Sequence, residues 1–253
     1  METGAITQYI DVAQIVLYMF WAFFAGLIYY LIREGHREGY PMDSGRENGP
    51  KIEGWPPVPD PVTYKTEDGH IHLSPDPNRP DGEYTGQRAH GWNGAPLEPV
   101  GDPLLAGVGP GAWAMRADVP DMEHGHPKIV PLRIATDHSV AKQDVDPRGL
   151  PVWGADKIVA GTVVELWVDR MEMLFRYAEV QLADSNKRVL LPMTFARIKK
   201  DGSHVQAILA HQFANVPQTK SPDQITMLEE EKITAYYGAG TLYATPERQE
   251  PLI

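Results

Sequence analysis

The chain has 253 residues, no cysteine and a formal net charge of −11 at pH 7. Without cysteine it cannot form disulfides, thiolate metal sites, iron–sulfur clusters or a cysteine nucleophile. The acidic balance argues against nucleic acid as a partner, because binding phosphates requires a basic face.

The first element is an apolar run from Val12 to Ile32 that contains no charged residue. A helix of that length rises about 30 Å, which matches the hydrocarbon core of a bilayer. A signal peptide and a buried core helix compete with this interpretation. However, no basic residue precedes the run, and a core helix rarely stays apolar on every face. Lys and Arg are absent from residues 1–11, whereas Arg33 and Arg37 follow the run. The positive-inside rule therefore places the N-terminus outside and the remainder in the cytoplasm.

An extended cytoplasmic segment is predicted over residues 33–110. Residues 41–110 hold 13 of the 23 prolines and 11 of the 23 glycines, a density that prevents long helices and central strands. A disordered linker is one interpretation. Recurring apolar side chains such as Trp55 and Tyr64 favour an ordered segment lying on a larger surface, with a short hairpin near Thr63–Leu73.

Short strands separated by turns are predicted from about Lys128 onward, and together they indicate a small antiparallel barrel. The predicted strands are Lys128–Ile134, Ile158–Asp169, Phe175–Leu182, Arg188–Met193 and the two halves of Phe195–Leu209. The longest has a bulge or bend at Gly161. Its alternation assigns one face to Val164, Leu166 and Val168 and the opposite face to Glu165, Trp167 and Asp169.

A C-terminal helix is predicted over about residues 225–237, capped by Asp223 and ended by Gly238. The barrel domain then covers residues 111–245, and residues 246–253 form a polar tail. The fold class is therefore a single N-terminal transmembrane α-helix followed by a cytoplasmic, mainly-β domain.

Three polar clusters are candidates for chemistry. The densest runs from Asp121 through Glu123, His124 and His126 to Lys128, where two imidazoles beside carboxylates can relay protons or bind a divalent metal. A solvated polar loop explains the same residues. The second cluster comprises Asp169, Glu172, Arg176 and Glu179, and the third Glu229, Glu230, Glu231 and Lys232. A surface charge network and the wet face of a helix are the ordinary explanations of these two.

Long motifs in order along nearly the whole chain resemble the H subunit of the photosynthetic reaction centre of purple bacteria. They are FWAFFAGLIYYL (Phe20–Leu31), REGYP (Arg37–Pro41), GDPLLAGVGPGAW (Gly101–Trp113), HGHPKIVPL (His124–Leu132), DVDPRGLPV (Asp144–Val152), AGTVVELWVDR (Ala160–Arg170), FANVP (Phe213–Pro217), QITMLEEEKITAYYGAG (Gln224–Gly240) and LYATPER (Leu242–Arg248).

The resemblance implies one transmembrane helix and a cytoplasmic PRC-type β-barrel in the bacterial inner, intracytoplasmic photosynthetic membrane, with a periplasmic N-terminus. It implies a non-catalytic accessory subunit that caps the L and M subunits, stabilises the quinone sites and conducts protons to the secondary quinone. Bacteriochlorophyll, bacteriopheophytin, quinones and non-haem iron are expected in the partner subunits and none in this chain. Membrane lipids, a cytochrome subunit and a light-harvesting ring are further candidate partners.

The resemblance also assigns residues to the proton route. His124 and His126 match the histidine pair where protons enter, which binds divalent cations in some members, with Asp121 and Glu123 beside it. In this chain Glu123 directly precedes His124, whereas the family pattern has Asp-Gly there, so no metal ligand set is assigned. Residues matching the interior proton-conducting group are Asp169, Glu172, Arg176 and Glu230, and Tyr40 matches a residue near the quinone side.

Two alternatives belong to other functional classes. A membrane-tethered PRC-barrel adaptor would dock a different protein without light or quinone chemistry. A metal-dependent enzyme would use His124, His126 and Glu123 as ligands.

Overall fold

A computed structural model describes residues 11–37, 55–67, 69–76, 82–91 and 95–249. Within these ranges the chain forms two α-helices and thirteen strands. In chain order they are α1 (Val12–Gly35), β1 (Val62–Lys65), β2 (Ile71–Ser74), β3 (Gly86–Arg88), β4 (Leu97–Pro99), β5 (Met122–Glu123), β6 (His126–Pro127), β7 (Ile129–Pro131), β8 (Pro151–Trp153), β9 (Val159–Asp169), β10 (Leu174–Leu182), β11 (Arg188–Pro192), β12 (Ala196–Lys199), β13 (Gly202–Val205) and α2 (Met227–Tyr243).

The chain divides into two compact units. The first comprises Met1–Arg79 with Gly91–Ala95, and the second comprises Pro80–His90 with Pro96–Ile253. The second unit thus includes residues 80–90 and 96–110, although the sequence analysis begins the barrel domain at residue 111. Leu104, for example, is buried in the same hydrophobic core as the long strands.

Helix α1 begins at Asp11, whose side chain accepts a hydrogen bond from the backbone N–H of Gln14 (2.7 Å). It continues past Ile32 to Gly35, and none of its residues is buried. Among the described residues it is the one helix long and apolar enough to cross a membrane. In the same unit β1 and β2 pair antiparallel, which confirms the hairpin predicted near Thr63–Leu73.

The second unit is built on a seven-stranded sheet with the order β11-β10-β9-β8-β13-β12, and β7 also pairs with β9. The pairs are antiparallel except for β8 with β13, which is parallel. The parallel pair makes the sheet mixed. No pairing among the described strands joins β12 back to β11, so the sheet does not close into a hydrogen-bonded barrel. Helix α2 packs its buried residues, including Ile233 and Tyr237, into the core of this unit.

Strand β9 does not follow the predicted alternation of faces. Glu165 lies opposite Glu179 and Val163 opposite Val180, so Val164 is an extra residue at a β-bulge. Val164 is therefore exposed although its predicted face-mates are buried. Beyond the bulge, residues 166–169 are buried on both faces of the sheet, including Trp167 and Asp169.

Helix α2 also differs from its predicted bounds. Its N-cap is Thr226 rather than Asp223, because Thr226 and Glu229 form a reciprocal capping box. Gly238 does not end the helix, which runs on to Tyr243. A Cβ at Gly238 would lie 2.5 Å from the carbonyl oxygen of Pro110, so this glycine permits close packing of the preceding segment on the helix.

We expect Gly161→Ala to destabilise the second unit by about 2 kcal/mol or more, as overpacking does. A Cβ at this position would lie 2.2 Å from the carbonyl oxygen of Gln181 in the paired strand, and backbone must then move. Thermal unfolding of the detergent-solubilised chain measures the loss. Gly91→Ala is the matched control, since its Cβ would meet nothing within 4 Å. Equal melting temperatures for the two variants would contradict the expectation.

Candidate functional site

The two predicted histidines lie on the hairpin formed by β5 and β6. Glu123 pairs with His126 across the hairpin. His124 and Gly125 make the turn, with φ angles of 49° and 81°. Positive φ at both central residues is the type I′ pattern, which fits the twist of a tight hairpin and suits glycine at the second position. The turn places His124 at the tip and His126 at the start of the returning strand.

The imidazole of His124 is open to water. Its side chain is 87% exposed, and Nε2 lies 3.2 Å from Oε1 of Glu123. An imidazole this exposed is directly accessible to protons in the solvent. No group of three or more His, Asp or Glu in the described ranges is placed to hold a metal ion. The two-histidine divalent site therefore stays a prediction.

A buried carboxylate lies at the end of β9. Asp169 is 1% exposed, and its Oδ1 accepts hydrogen bonds from the backbone N–H groups of Met171 and Glu172, each 3.0 Å long. These bonds shape the turn into β10. Nζ of Lys128 lies 3.9 Å from Asp169 Oδ2 and 3.6 Å from Asp121 Oδ2. One amine thus lies between a surface carboxylate and a buried carboxylate.

The loop between β9 and β10 presents the next pair. Arg176 Nη1 lies 3.4 Å from Glu172 Oε2, and both side chains are exposed. Arg176 has no partner residue in β9, since Phe175 pairs with Val168 and Tyr177 with Trp167. A bulge at this point re-aims the side chain of the extra residue. Because an exposed ion pair contributes about 0–1 kcal/mol, this pair can separate at little cost.

Glu230 projects from α2 toward β10. The hydroxyl of Tyr177 donates a hydrogen bond of 3.0 Å to Glu230 Oε2. Burial raises the pKa of Glu230, while the Tyr177 bond and the charges of Arg176 and Arg116 partly oppose the rise and Asp121 adds to it. Burial beside Glu230 also raises the pKa of Tyr177, so the phenol keeps its proton. A cleft of about 380 Å³ opens beside these groups.

Of the predicted site residues, the structure brings Asp121, Asp169, Glu172, Arg176 and Glu230 into one region through contacts and charge interactions. It leaves Glu123, His124 and His126 on the adjoining hairpin. Tyr40 lies outside the described residues.

Glu179 does not join the second cluster as the sequence grouped it. Its carboxylate is held by Nη1 of Arg133 and Nη1 of Arg188, each at 3.0 Å, and by Nε1 of Trp167 at 3.1 Å. Arg133 follows β7 and Arg188 begins β11, and neither neighbour was evident from β9 and β10 alone. Buried and fully paired, Glu179 is part of the framework of the sheet.

The assignment of Glu229, Glu230 and Glu231 to a wet helix face is wrong. Glu229 is buried, and it accepts hydrogen bonds from the backbone N–H groups of Lys220 (2.7 Å) and Thr226 (2.9 Å). Glu230 is half-buried against Tyr177. Glu231 lies 3.7 Å from Arg116. The helix begins against the body of the unit, so its first turn is not in solvent.

Sequence reasoning placed Lys128 in the first polar cluster without giving it a role, and it missed Tyr177. Lys128 comes immediately before the apolar strand β7. At that position its aliphatic chain can cover the protein surface while its amine lies near Asp121 and Asp169. Tyr177 carried no comparable signal, because its partner Glu230 is 53 residues away along the chain.

Two family models match the chain. The model of the photosynthetic reaction centre, H-chain N-terminal region, covers residues 4–134, and the PRC-barrel domain model covers residues 141–211. The first match contains α1 and the histidine hairpin and spans more than half of the chain. The second contains β8 to β13.

We expect Tyr177→Phe to raise the pKa of Glu230 further, because the phenol hydrogen bond favours the charged carboxylate. Above the ordinary glutamate pKa of 4.5, more of Glu230 should then stay protonated than in the unaltered chain. A pH titration of the protonated-carboxyl infrared band measures this, and Glu230→Gln identifies the band by removing it.

The control for this titration is Tyr84→Phe, since Tyr84 is exposed and remote in the chain from Glu230. A titration midpoint that is the same in Tyr177→Phe and in the control would show that the hydrogen bond does not tune Glu230.

Proposed function

The chain belongs to the photosynthetic reaction centre H-chain family and is a membrane-associated subunit of that complex, and we propose that it conducts protons from the cytoplasm to the secondary quinone. Subunits of this family are non-catalytic in general. In this proposal the chain stabilises the quinone sites and forms no covalent intermediate.

The proposed topology is a single crossing by α1 with a periplasmic N-terminus in the bacterial inner, intracytoplasmic photosynthetic membrane. The length and apolar surface of α1 support the crossing. Arg33 and Arg37 follow the apolar run, while residues 1–11 contain no Lys or Arg, which supports the orientation.

The proposed partners are the L and M subunits, which would hold the bacteriochlorophyll, bacteriopheophytin, quinones and non-haem iron. Met171, Met173 and Leu174 are exposed on the loop that carries Glu172. Apolar side chains gathered around a charged pair are typical of a face that another protein covers. This loop is therefore the best candidate for the surface facing the quinone-binding subunits.

The position of Lys128 is the observation that best supports the proposed proton route. Its amine lies within 4 Å of both Asp121 at the surface and Asp169 in the interior. Protons collected by His124 and His126 can then pass along the Glu123 and Asp121 side of the hairpin. The interior acids continue the path to Glu172.

One acid beside this path is half-buried, and burial favours the protonated form of a carboxyl group. The raised pKa of Glu230, which interacts with both Arg176 and Asp121, supports a proton-holding role for this group. Tyr40 is retained as a quinone-side residue by the resemblance.

Glu172→Gln should slow proton uptake after flash reduction of the secondary quinone by about tenfold or more, since an amide cannot relay a proton. Primary charge separation should be unchanged, because it occurs among cofactors of the partner subunits. Time-resolved absorption with a pH-indicator dye measures both rates. Asp184→Asn, an exposed carboxylate beyond the opposite end of β10, is the matched control. Uptake at the normal rate in Glu172→Gln would exclude this residue from the route.

Replacing His124 and His126 together by alanine should also slow uptake, and added imidazole should restore the rate by supplying a mobile acid. His211→Ala, at another exposed site, should leave the rate unchanged. Slow uptake that imidazole does not rescue would mean that the histidines shape the hairpin rather than deliver protons.

A further inference from the structure

The first unit contains a tryptophan, Trp55, whose exposure to solvent the proposed function does not explain. It is 80% exposed, an unusual state for an indole. Its ring nevertheless contacts Tyr29 of helix α1, with ring centroids 5.6 Å apart and planes inclined by 58°. A residue distant in sequence therefore lies directly beside the apolar helix.

The position of Tyr29 sets the depth of this contact. Tyr29 precedes the end of the apolar run at Ile32 by about 4.5 Å along the helix axis. Helical side chains tilt toward the N-terminus, which directs this ring toward the bilayer. Its ring then lies close to the boundary between hydrocarbon and headgroups, and the centroid of the Trp55 ring is 5.6 Å from it.

Arg37 holds the Trp55 segment near the end of the helix. Its guanidinium pairs with Glu34, with Nε 2.7 Å from Oε2. Nη1 donates to the carbonyl oxygens of Asp60 and of Ser74, the last residue of β2. Asp60 is five positions after Trp55 in the chain, and an extended chain of that length reaches at most about 18 Å. The segment that carries Trp55 is therefore tethered to the end of α1.

We propose that Trp55 is a second membrane anchor whose indole lies in the headgroup layer beside Tyr29. The proposal rests on the proposed function in one respect, the crossing of the bilayer by α1. An indole suits this layer because its body is apolar and its N–H can donate to lipid carbonyl or phosphate oxygens. Lipid is the favoured occupant because the contact is continuous with the exposed surface of α1, which has no buried residue.

The absence of cysteine makes a direct depth measurement practicable. A nitroxide is attached to Trp55→Cys in the full chain in lipid nanodiscs, and its collisions with oxygen and with a water-soluble nickel complex are measured. Phe23→Cys on α1 and Ile158→Cys before β9 serve as references, since both side chains are well exposed. The label at position 55 should fall between the lipid-immersed and water-immersed references.

The native indole gives a second readout. Lipids brominated near the headgroup should quench a part of the tryptophan emission that disappears in Trp55→Phe. Trp153→Phe, in the second unit, should leave the quenched part unchanged. Loss of the quenched part only in Trp55→Phe supports the anchor.

Three results would count against the proposal, and one of them separates it from its premise. A water-like label at position 55, with a lipid-immersed label at position 23, overturns the anchor and leaves the membrane crossing intact. A label shielded from both reagents when L and M are present shows that a protein covers Trp55 instead. A water-exposed label at position 23 overturns the crossing itself.

Discussion

The antiparallel pairing of β9 with β10 is the interaction on which the arrangement of ionisable groups depends. Its register sets Asp169 opposite Leu174 and so confines the connecting turn to four residues, which Asp169 ties down with two backbone hydrogen bonds. On the other edge of β9, β7 pairs with residues 167–169 and thereby brings Lys128, the residue just before β7, to Asp169. The same sheet supplies Tyr177, against which α2 positions Glu230. The surface hairpin, the buried acid and the helix are therefore coupled through one pair of strands.

Much of this fold was predictable because its signals are local. An uncharged apolar run specifies α1, and alternating β-branched residues between turn signals specify β9 to β13. The failures have non-local causes. The bulge at Val164 depends on where β10 lies, and it reverses the facing of every residue after it. Gly238 is a helix terminator by local preference, yet it lies within α2 because Pro110 packs against it. The parallel pairing of β8 with β13 likewise joins residues about 50 positions apart, which no local pattern specifies.

The candidate site was predictable to a different extent. Composition alone drew attention to the hairpin of His124 and His126, since imidazoles beside carboxylates are uncommon and chemically versatile. Composition did not separate acids with few partners from acids that hold the sheet together. Glu179 and Glu230 cannot be told apart from the sequence. In the structure, two arginines and an indole donate hydrogen bonds to Glu179, whereas one phenol donates a hydrogen bond to Glu230. Only the partners supplied by distant strands distinguish them.

That difference in partners bears on what each carboxylate can do. Glu179 is buried, and its carboxylate is contacted by Arg133, Arg188 and Trp167, so removing it would leave three groups without this partner. Glu172 forms one exposed ion pair, with Arg176 at 3.4 Å, and such a pair contributes about 0–1 kcal/mol. The two acids lie on one hairpin, yet Glu179 is central in β10 and Glu172 precedes its first residue. The carboxylate with three partners, Glu179, thus lies in the middle of the strand. The carboxylate with one exposed ion pair, Glu172, lies at its end, beside the exposed apolar loop. Substitutions at that end therefore remove few of the contacts that hold the sheet together.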